Sequence, residues 1–197
     1  MPVREHRITA ADLLPPDIYA GERDARRRAL IPVKRDRRME VGPFVTFYFE
    51  NFATMLAQVQ EMLHIERGGE AQIAGELETY NPLIPHGSEL IATMMIEIDE
   101  PARRAATLLK LGGIEERVWM QIGPERIAAS PADYADHTTP DGKTSSVHWL
   151  RFRFTRGQIE RFRNPAEPVV LGINHENYGH MATVGAGKRA ELAKDFD

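Results

Sequence analysis

The sequence predicts an α+β fold: a single domain with a mainly antiparallel sheet packed with several helices, and an N-terminal helical arm. Segments with helical spacing of apolar residues dominate the first half of the chain, and segments that alternate apolar and polar residues dominate the second. These strands do not alternate regularly with long helices, as they would in a parallel α/β protein. A chain of 197 residues can bury one sizeable core without disulfides or a structural metal.

The order of the elements follows from capping and turn residues. Residues 9–12 have the form of a capping box and should open a short helical turn. A helix should begin at Asp17 and run through Arg28 or beyond, with a break or kink at Pro32. In the first half of the chain, the remaining elements are a strand over 41–50, a helix capped by Asn51 up to about 67, a helix over 70–79 and a strand over 89–98. A helix then runs from 101 to the glycines at 112–113 and is followed by a hairpin over 117–122 and 126–129. The last elements are a polar loop over 130–142, a strand up to 154, a helix or turn over 156–163, a strand over 168–174 and a helix near 188–194.

The composition excludes several kinds of chemistry. The chain has no cysteine, so it cannot hold a disulfide, a thiolate zinc site, an ordinary iron–sulfur cluster or a cysteine nucleophile. Any metal would be held mainly by His, Asp or Glu. No apolar run approaches the ~20 residues that span a bilayer, and the N-terminus lacks an apolar signal core. We therefore expect a cytoplasmic protein with no membrane segment.

The net charge of −4 conceals a basic segment. Residues 23–38 contain eight Lys or Arg and two Asp, so the rest of the chain carries a net charge of about −10. We expect residues 1–40 to form a basic helical arm joined in one structural unit to an α+β domain over residues 41–197. The arm is either an ordinary solvated helix face or a docking surface for an acidic partner, and no aromatic residues interleave as in RNA-binding segments. The candidate docking residues are Arg26, Arg27, Arg35, Arg37 and Arg38.

Two histidines fall in register with apolar residues of predicted strands. His148 alternates with Leu150 and Phe152, and His175 ends the strand that begins near 168. Together with a carboxylate they could bind iron, zinc or manganese, or each could be an ordinary hydrogen-bonded core or turn residue. The candidate carboxylates are Glu97, Asp99 and Glu176, with Glu97 taken as the third ligand. On the other face of the His148 strand, Arg151 is a candidate anchor for an anionic ligand.

Two further motifs are weaker. Glu61 and His64 have the E-x-x-H spacing of di-iron helix bundles, but the second copy and the additional glutamates that such a site needs are missing. The segment from Gly185 to Lys188 resembles the end of a phosphate-binding loop, but Arg189 stands where that loop needs Ser or Thr. We therefore expect neither a di-iron site nor a nucleotide site from these segments.

Seven groups of residues form a recognisable pattern along the chain: 12–14, 34–38 with 41–43, 60–63, 76–85, 113–119, 143–152 and 171–175. Together these blocks resemble the bacterial family known as domain of unknown function 3501, over about residues 8–178. His148 and His175 fit the pattern of that family, whereas the family favours Arg at the position of His64.

The resemblance implies no established activity. It does imply a genomic setting beside a rubrerythrin-like di-iron protein and an iron–sulfur oxidoreductase. Since this chain cannot hold the iron–sulfur cluster, the first hypothesis is an accessory or docking component of that redox-stress system. The second is a small metal- or ligand-dependent enzyme with His148 and His175 at the strand ends.

Overall fold

The computed structural model of the chain describes residues 6–132, 139 and 142–197. These residues form two antiparallel sheets and six α-helices, which confirms the predicted α+β class. The helices are α1 (Pro16–Asp36), α2 (Phe52–Glu66), α3 (Glu70–Tyr80), α4 (Pro101–Leu108), α5 (Arg156–Arg163) and α6 (Ala186–Leu192). The strands are β1 (Arg38–Val41), β2 (Val45–Glu50), β3 (Glu89–Ile96), β4 (Val118–Ile122), β5 (Glu125–Ala128), β6 (Ser130–Pro131), β7 (Val147–Arg153), β8 (Val169–His175) and β9 (Tyr178–Thr183).

The first sheet has the order β1-β2-β3-β7-β6 and the second β5-β4-β8-β9. Alternate residues of the first sheet, such as Leu90 and Met94, join a main core that also contains Met120 and Leu171 of the second sheet. Ile91, on the opposite face, joins a smaller core with residues of α2. The first sheet is therefore enclosed between the second sheet and α2.

The helix α2 begins and ends close to its predicted limits. The side chain of Asn51 accepts a hydrogen bond from Thr54 N, and Thr54 Oγ1 accepts one from Asn51 N. This reciprocal pair satisfies two backbone donors that would otherwise have no partner. The helix ends at Glu66 and is capped by Arg67, whose φ of 55° is left-handed and which directly precedes the predicted glycines.

Pro32, where the sequence predicted a break or a kink, does not break α1. The helix continues for four residues to Asp36. A proline removes one backbone hydrogen bond and crowds the preceding turn, but packing can retain the helix. Here α1 packs against α2.

The predicted boundary between the basic helical arm and the α+β domain, at residue 40, falls inside β1.

Three strands were not predicted: β1, β9 and the two-residue β6, which lies at the start of the predicted polar loop over 130–142. The predicted strand over 41–50 is a hairpin, in which β1 and β2 are joined by a turn that contains Gly42 and Pro43. Gly42 has a φ of 76°, and a Cβ atom there would lie 2.5 Å from the hydroxyl oxygen of Tyr178. The unpredicted strand β9 pairs with β8 at the edge of the second sheet. Its mostly exposed residues lack the alternation that identifies strands.

No helix in the described ranges is both long enough and apolar enough to cross a membrane.

The E-x-x-H glutamate joins α1 to α2. Both carboxylate oxygens of Glu61 accept hydrogen bonds from Arg23, at 2.9 and 2.8 Å, and Oε1 also accepts one from the Tyr19 hydroxyl at 2.7 Å. These bonds lower the pKa of Glu61 to about 2, and the bond from Arg23 is the largest cause of the shift. Burial and the bond to Glu61 raise the pKa of Tyr19 to about 12. Glu61 is therefore used to hold α1 in place.

We expect Glu61→Gln to lower the free energy of unfolding by about 1–2 kcal/mol at pH 7, because it removes charge-assisted hydrogen bonds. The lowered pKa means that Glu61 contributes this stability above its ordinary pKa of 4.5 and loses it as the pH falls towards about 2. The gap between variant and wild type, measured by urea unfolding, should therefore narrow from pH 5 to pH 3. Glu22→Gln, which removes an exposed pair with Arg26, should cost less than about 0.5 kcal/mol. A gap that widens towards pH 3 would contradict this assignment.

Candidate binding site

A pocket of about 330 Å³ lies on the face of the first sheet that points away from the main core. We call it the Glu50 pocket. Its floor is formed by β2, β3 and β7, and its walls by the end of α1, by α2 and by the end of α3. It combines apolar and aromatic side chains with a few polar groups, as small-molecule sites do. The lining residues are Lys34, Arg37, Tyr48, Phe49, Glu50, Thr54, Met55, Gln58, Tyr80, Leu83, Thr93, Met95, Val147 and Trp149.

Glu50 places a buried carboxyl group in this pocket. Its Oε2 accepts a hydrogen bond from the Thr54 hydroxyl at 2.6 Å, and its Oε1 accepts one from the Thr93 hydroxyl at 2.7 Å. Burial raises the pKa of Glu50, because desolvation outweighs these two bonds and the attraction of Lys34 and Arg37. A buried acid with a shifted pKa in a pocket is a frequent feature of binding sites.

Arg37 supports the strand beneath this pocket. It follows α1, is only 2% exposed, and donates from Nε to Phe49 O at 2.9 Å and from Nη2 to Glu50 O at 3.0 Å. The same Nη2 donates to Asp195, near the C-terminus. Burial raises the pKa of Asp195 to about 6, although the charge of Arg37 opposes the shift. Arg37 therefore connects α1, β2 and the C-terminal segment.

Tyr48, which lines the pocket, contacts Glu97, which lies beside the pocket on the same sheet face. The hydroxyls of Thr46 and Tyr48 donate to the two oxygens of Glu97, at 2.6 and 2.8 Å. Burial, together with the bond to Glu97, raises the pKa of Tyr48. Because Arg38 lies 3.8 Å from Glu97, this carboxylate is surrounded by partners from β1 and β2.

A second concavity of about 870 Å³, which we call the basic cleft, lies between the second half of α1, the first two strands and α6. Lys34 and Tyr48 line both this cleft and the Glu50 pocket, so the two adjoin. Six of the lining residues are cationic and two are anionic, and Ile31, 61% exposed, adds an apolar side chain. The lining residues are Asp24, Arg27, Arg28, Leu30, Ile31, Lys34, Arg35, Arg38, Glu40, Tyr48 and Lys188.

The three predicted metal ligands lie in different environments. His148 is fully buried, with Nε2 3.2 Å from Thr144 Oγ1 and 2.9 Å from Ser145 O, and Nδ1 3.7 Å from a carboxylate oxygen of Glu115. His175 Nε2 lies 3.2 Å from a backbone carbonyl, and its Nδ1 accepts from Asn177 N at 3.1 Å. Glu97 accepts hydrogen bonds from the hydroxyls of Thr46 and Tyr48. Across residues 6–132, 139 and 142–197, no three His, Asp or Glu side chains are grouped as they would be around a metal.

The predicted anion anchor and most of the predicted docking residues have hydrogen-bond or ion-pair partners within the chain. Arg151 donates from Nη1 to the buried Glu89 at 2.5 Å and from Nη2 to Pro82 O at 2.9 Å. Arg37 is buried, so it is removed from the set of docking residues. The others remain on the surface: Arg26 pairs with Glu22, Arg35 with Asp36, Arg38 with Glu40, and Arg27 lines the basic cleft.

Glu50 was not among the predicted site residues. A signal was present, since Thr46, Tyr48 and Glu50 alternate with Val45, Phe47 and Phe49 along one strand. A polar row opposite an apolar row indicates a polar face, but such a face is usually solvated. The burial of Glu50 depends on α2 and on the chain after α3.

Comparisons with known proteins extend over almost the whole chain. The family described as Protein of unknown function (DUF3501) matches residues 7–196. A crystal structure described as a novel protein of unknown function from Burkholderia pseudomallei K96243 shares 34% sequence identity with a TM-score of 0.88, covering 96% of this chain and 99% of that one. No curated protein matches the sequence. The chain belongs to the family Protein of unknown function (DUF3501).

Proposed function

We propose that this protein is a non-catalytic accessory component that docks onto an acidic partner protein through the basic cleft. The observation that carries the proposal is the composition of the cleft, with six cationic and two anionic residues on a chain whose net charge is −4. The cleft residues carry a net charge of +4, so the rest of the chain carries about −8. Such an asymmetry orients a protein towards an acidic surface as the two approach.

The cleft is also lined by two apolar side chains, Leu30 and Ile31, which lie between Arg28 and Lys34 in the sequence of α1. Apolar side chains surrounded by polar ones are typical of protein interfaces, in which burial of the centre supplies affinity and the charged rim supplies orientation. A nucleic-acid surface would use the charges but not Ile31, so a protein partner accounts for more of the cleft.

The family resemblance supplies the candidate partners. They are the rubrerythrin-like protein and the iron–sulfur oxidoreductase of an oxygen- or peroxide-stress system. With no cysteine, this chain would leave the iron–sulfur cluster to its partner. The alternative of a metal enzyme at His148 and His175 receives no support from the described residues.

We expect the double variant Arg27→Glu/Arg28→Glu to bind either partner at least 10-fold more weakly than wild type, because it reverses two charges in the cleft. Binding of the purified proteins should be measured by biolayer interferometry at about 50 mM salt, where screening is weak. The matched control is the double variant Arg103→Glu/Arg156→Glu, which changes the net charge by the same amount at two exposed positions outside the cleft.

No binding of either partner by wild type at low salt would contradict the proposal. An equal loss in the control would mean that net charge, rather than the cleft, determines affinity. Tighter binding to duplex DNA or to RNA than to both proteins would replace the proposal with a nucleic-acid function.

A further inference from the structure

We propose that the Glu50 pocket binds a compact organic amine, with the ammonium group on the Glu50 carboxylate and the hydrocarbon part between aromatic side chains. This site is separate from the docking function of the basic cleft. The ligand class follows from the carboxylate, the walls and the volume of the pocket.

The carboxylate of Glu50 has acceptor capacity left for a ligand. A carboxylate offers about four lone-pair positions, and the hydroxyls of Thr54 and Thr93 occupy two of them. Among the described residues, no Lys, Arg or His nitrogen lies within the ion-pair distance of 4.0 Å, and the charges of Lys34 and Arg37 reach Glu50 only through space. An ammonium group has three N–H donors and would supply the missing countercharge.

The walls suit the rest of such a molecule. The rings of Tyr48, Tyr80 and Trp149 line the pocket together with Met95 and Val147. The faces of Tyr and Trp rings attract cations and also provide apolar contact area. A volume of about 330 Å³ is at the small end of ligand pockets, so the ligand is compact.

Other ligand classes fit less well. An anionic ligand would be repelled by Glu50, and a purely apolar one would leave a desolvated carboxylate without a countercharge. Burial raises the pKa of Glu50, and a bound ammonium would offset that desolvation. The positive charge of the exposed Lys34, which lines the pocket, repels a bound cation. Removal of this charge should therefore increase the affinity for an amine.

The test uses the fluorescence of Trp149. The chain has two tryptophans, and Trp119 lies on β4 against Arg126, so Trp119→Phe leaves one reporter in the pocket. This protein should be titrated with butylamine, cyclohexylamine and phenethylamine, and with the alcohol and the carboxylate of each carbon skeleton. We expect at least one amine to bind at least 10-fold more tightly than its alcohol and its carboxylate.

Variants locate the binding. Glu50→Gln, which retains the shape and can still bond both threonines, should lower amine affinity at least 10-fold and leave the alcohol unchanged. Glu116→Gln makes the same chemical change at an exposed position outside the pocket and should have no effect. Lys34→Met should tighten amine binding, and it changes an exposed residue, so it remains informative if Glu50→Gln fails to fold.

The proposal is overturned if no amine binds more tightly than its alcohol, if Glu50→Gln leaves amine affinity unchanged, or if Lys34→Met weakens it. These experiments need no partner protein. Their failure is therefore distinguishable from failure of the docking proposal.

Discussion

We expect Arg37→Ala to lower the free energy of unfolding by about 3–5 kcal/mol, because it leaves a buried negative charge without its partner. The guanidinium of Arg37 is the nearest cation to the buried Asp195, at 1% side-chain exposure for both, and it also donates to two carbonyls of β2. Alanine removes all of these bonds and the volume of the side chain. The change should be measured by urea unfolding at pH 7, monitored by circular dichroism.

Arg35→Ala is the matched control. Arg35 lies two residues earlier on α1, and its side chain is 71% exposed and paired with the neighbouring Asp36. Surface pairs of this kind contribute less than about 1 kcal/mol. Equal losses for the two variants would mean that Arg37 contributes no more than a helix-surface arginine.

The second large effect is expected for Arg189→Ala, which should cost about 3 kcal/mol. The guanidinium of Arg189 donates to four backbone carbonyls, and no acidic side chain is within ion-pair distance among the described residues. Three of the carbonyls, those of Arg161, Phe162 and Asn164, belong to the end of α5 or to the residue that caps it. A cation at the C-terminal end of a helix satisfies carbonyls that have no intrahelical partner and interacts favourably with the helix dipole.

Thermal and urea unfolding of the Arg189→Ala variant should be compared with unfolding of Arg156→Ala. Arg156 lies in the first turn of the same helix, α5. The Arg156 side chain is 95% exposed, so its removal should change stability by less than about 0.5 kcal/mol. A loss below about 1 kcal/mol for Arg189→Ala would show that water replaces the guanidinium at these carbonyls. Arg189 stands where a phosphate-binding loop needs Ser or Thr, and its role in the structure is to hold α5.

Elements specified by local sequence were predictable. The Asn51 cap and the helical spacing after it located α2, and Gly123 with Pro124 located the hairpin of β4 and β5. In both cases the residues that determine the element lie within a few positions of each other. The α+β class followed from the same local patterns.

The division of the strands into two sheets was not predictable from local capping residues, apolar spacing or turn residues. The residues of β9 are mostly exposed, so this strand has no apolar alternation, and the predicted strand over 41–50 included Gly42 and Pro43, which lie in the turn between β1 and β2. The helix α1, which continues through Pro32, packs against α2, and this contact lies outside the local sequence pattern. Local propensity cannot report a contact with a distant segment.

The site was the least predictable part. Arg37 looked like other arginines of a charged run, because the partner that buries it, Asp195, is 158 residues away in the sequence. Glu50 is likewise buried by helices that lie elsewhere in the sequence, and local sequence patterns do not reveal how those helices pack. His148 was correctly placed on the inner face of a strand, but its neighbours are a hydroxyl, a carbonyl and Glu115.

The docking of an acidic partner in the basic cleft is tested most directly by lysine acetylation footprinting. The chain has five lysines; Lys34 and Lys188 line the cleft, whereas the exposed Lys110 follows α4, outside it. The protein should be acetylated alone and with the rubrerythrin-like protein or the iron–sulfur oxidoreductase, at low salt, and analysed by mass spectrometry. We predict that a partner slows the modification of Lys34 and Lys188 and leaves Lys110 unchanged. Unchanged rates at both cleft lysines, or protection of Lys110 instead, would contradict the docking proposal.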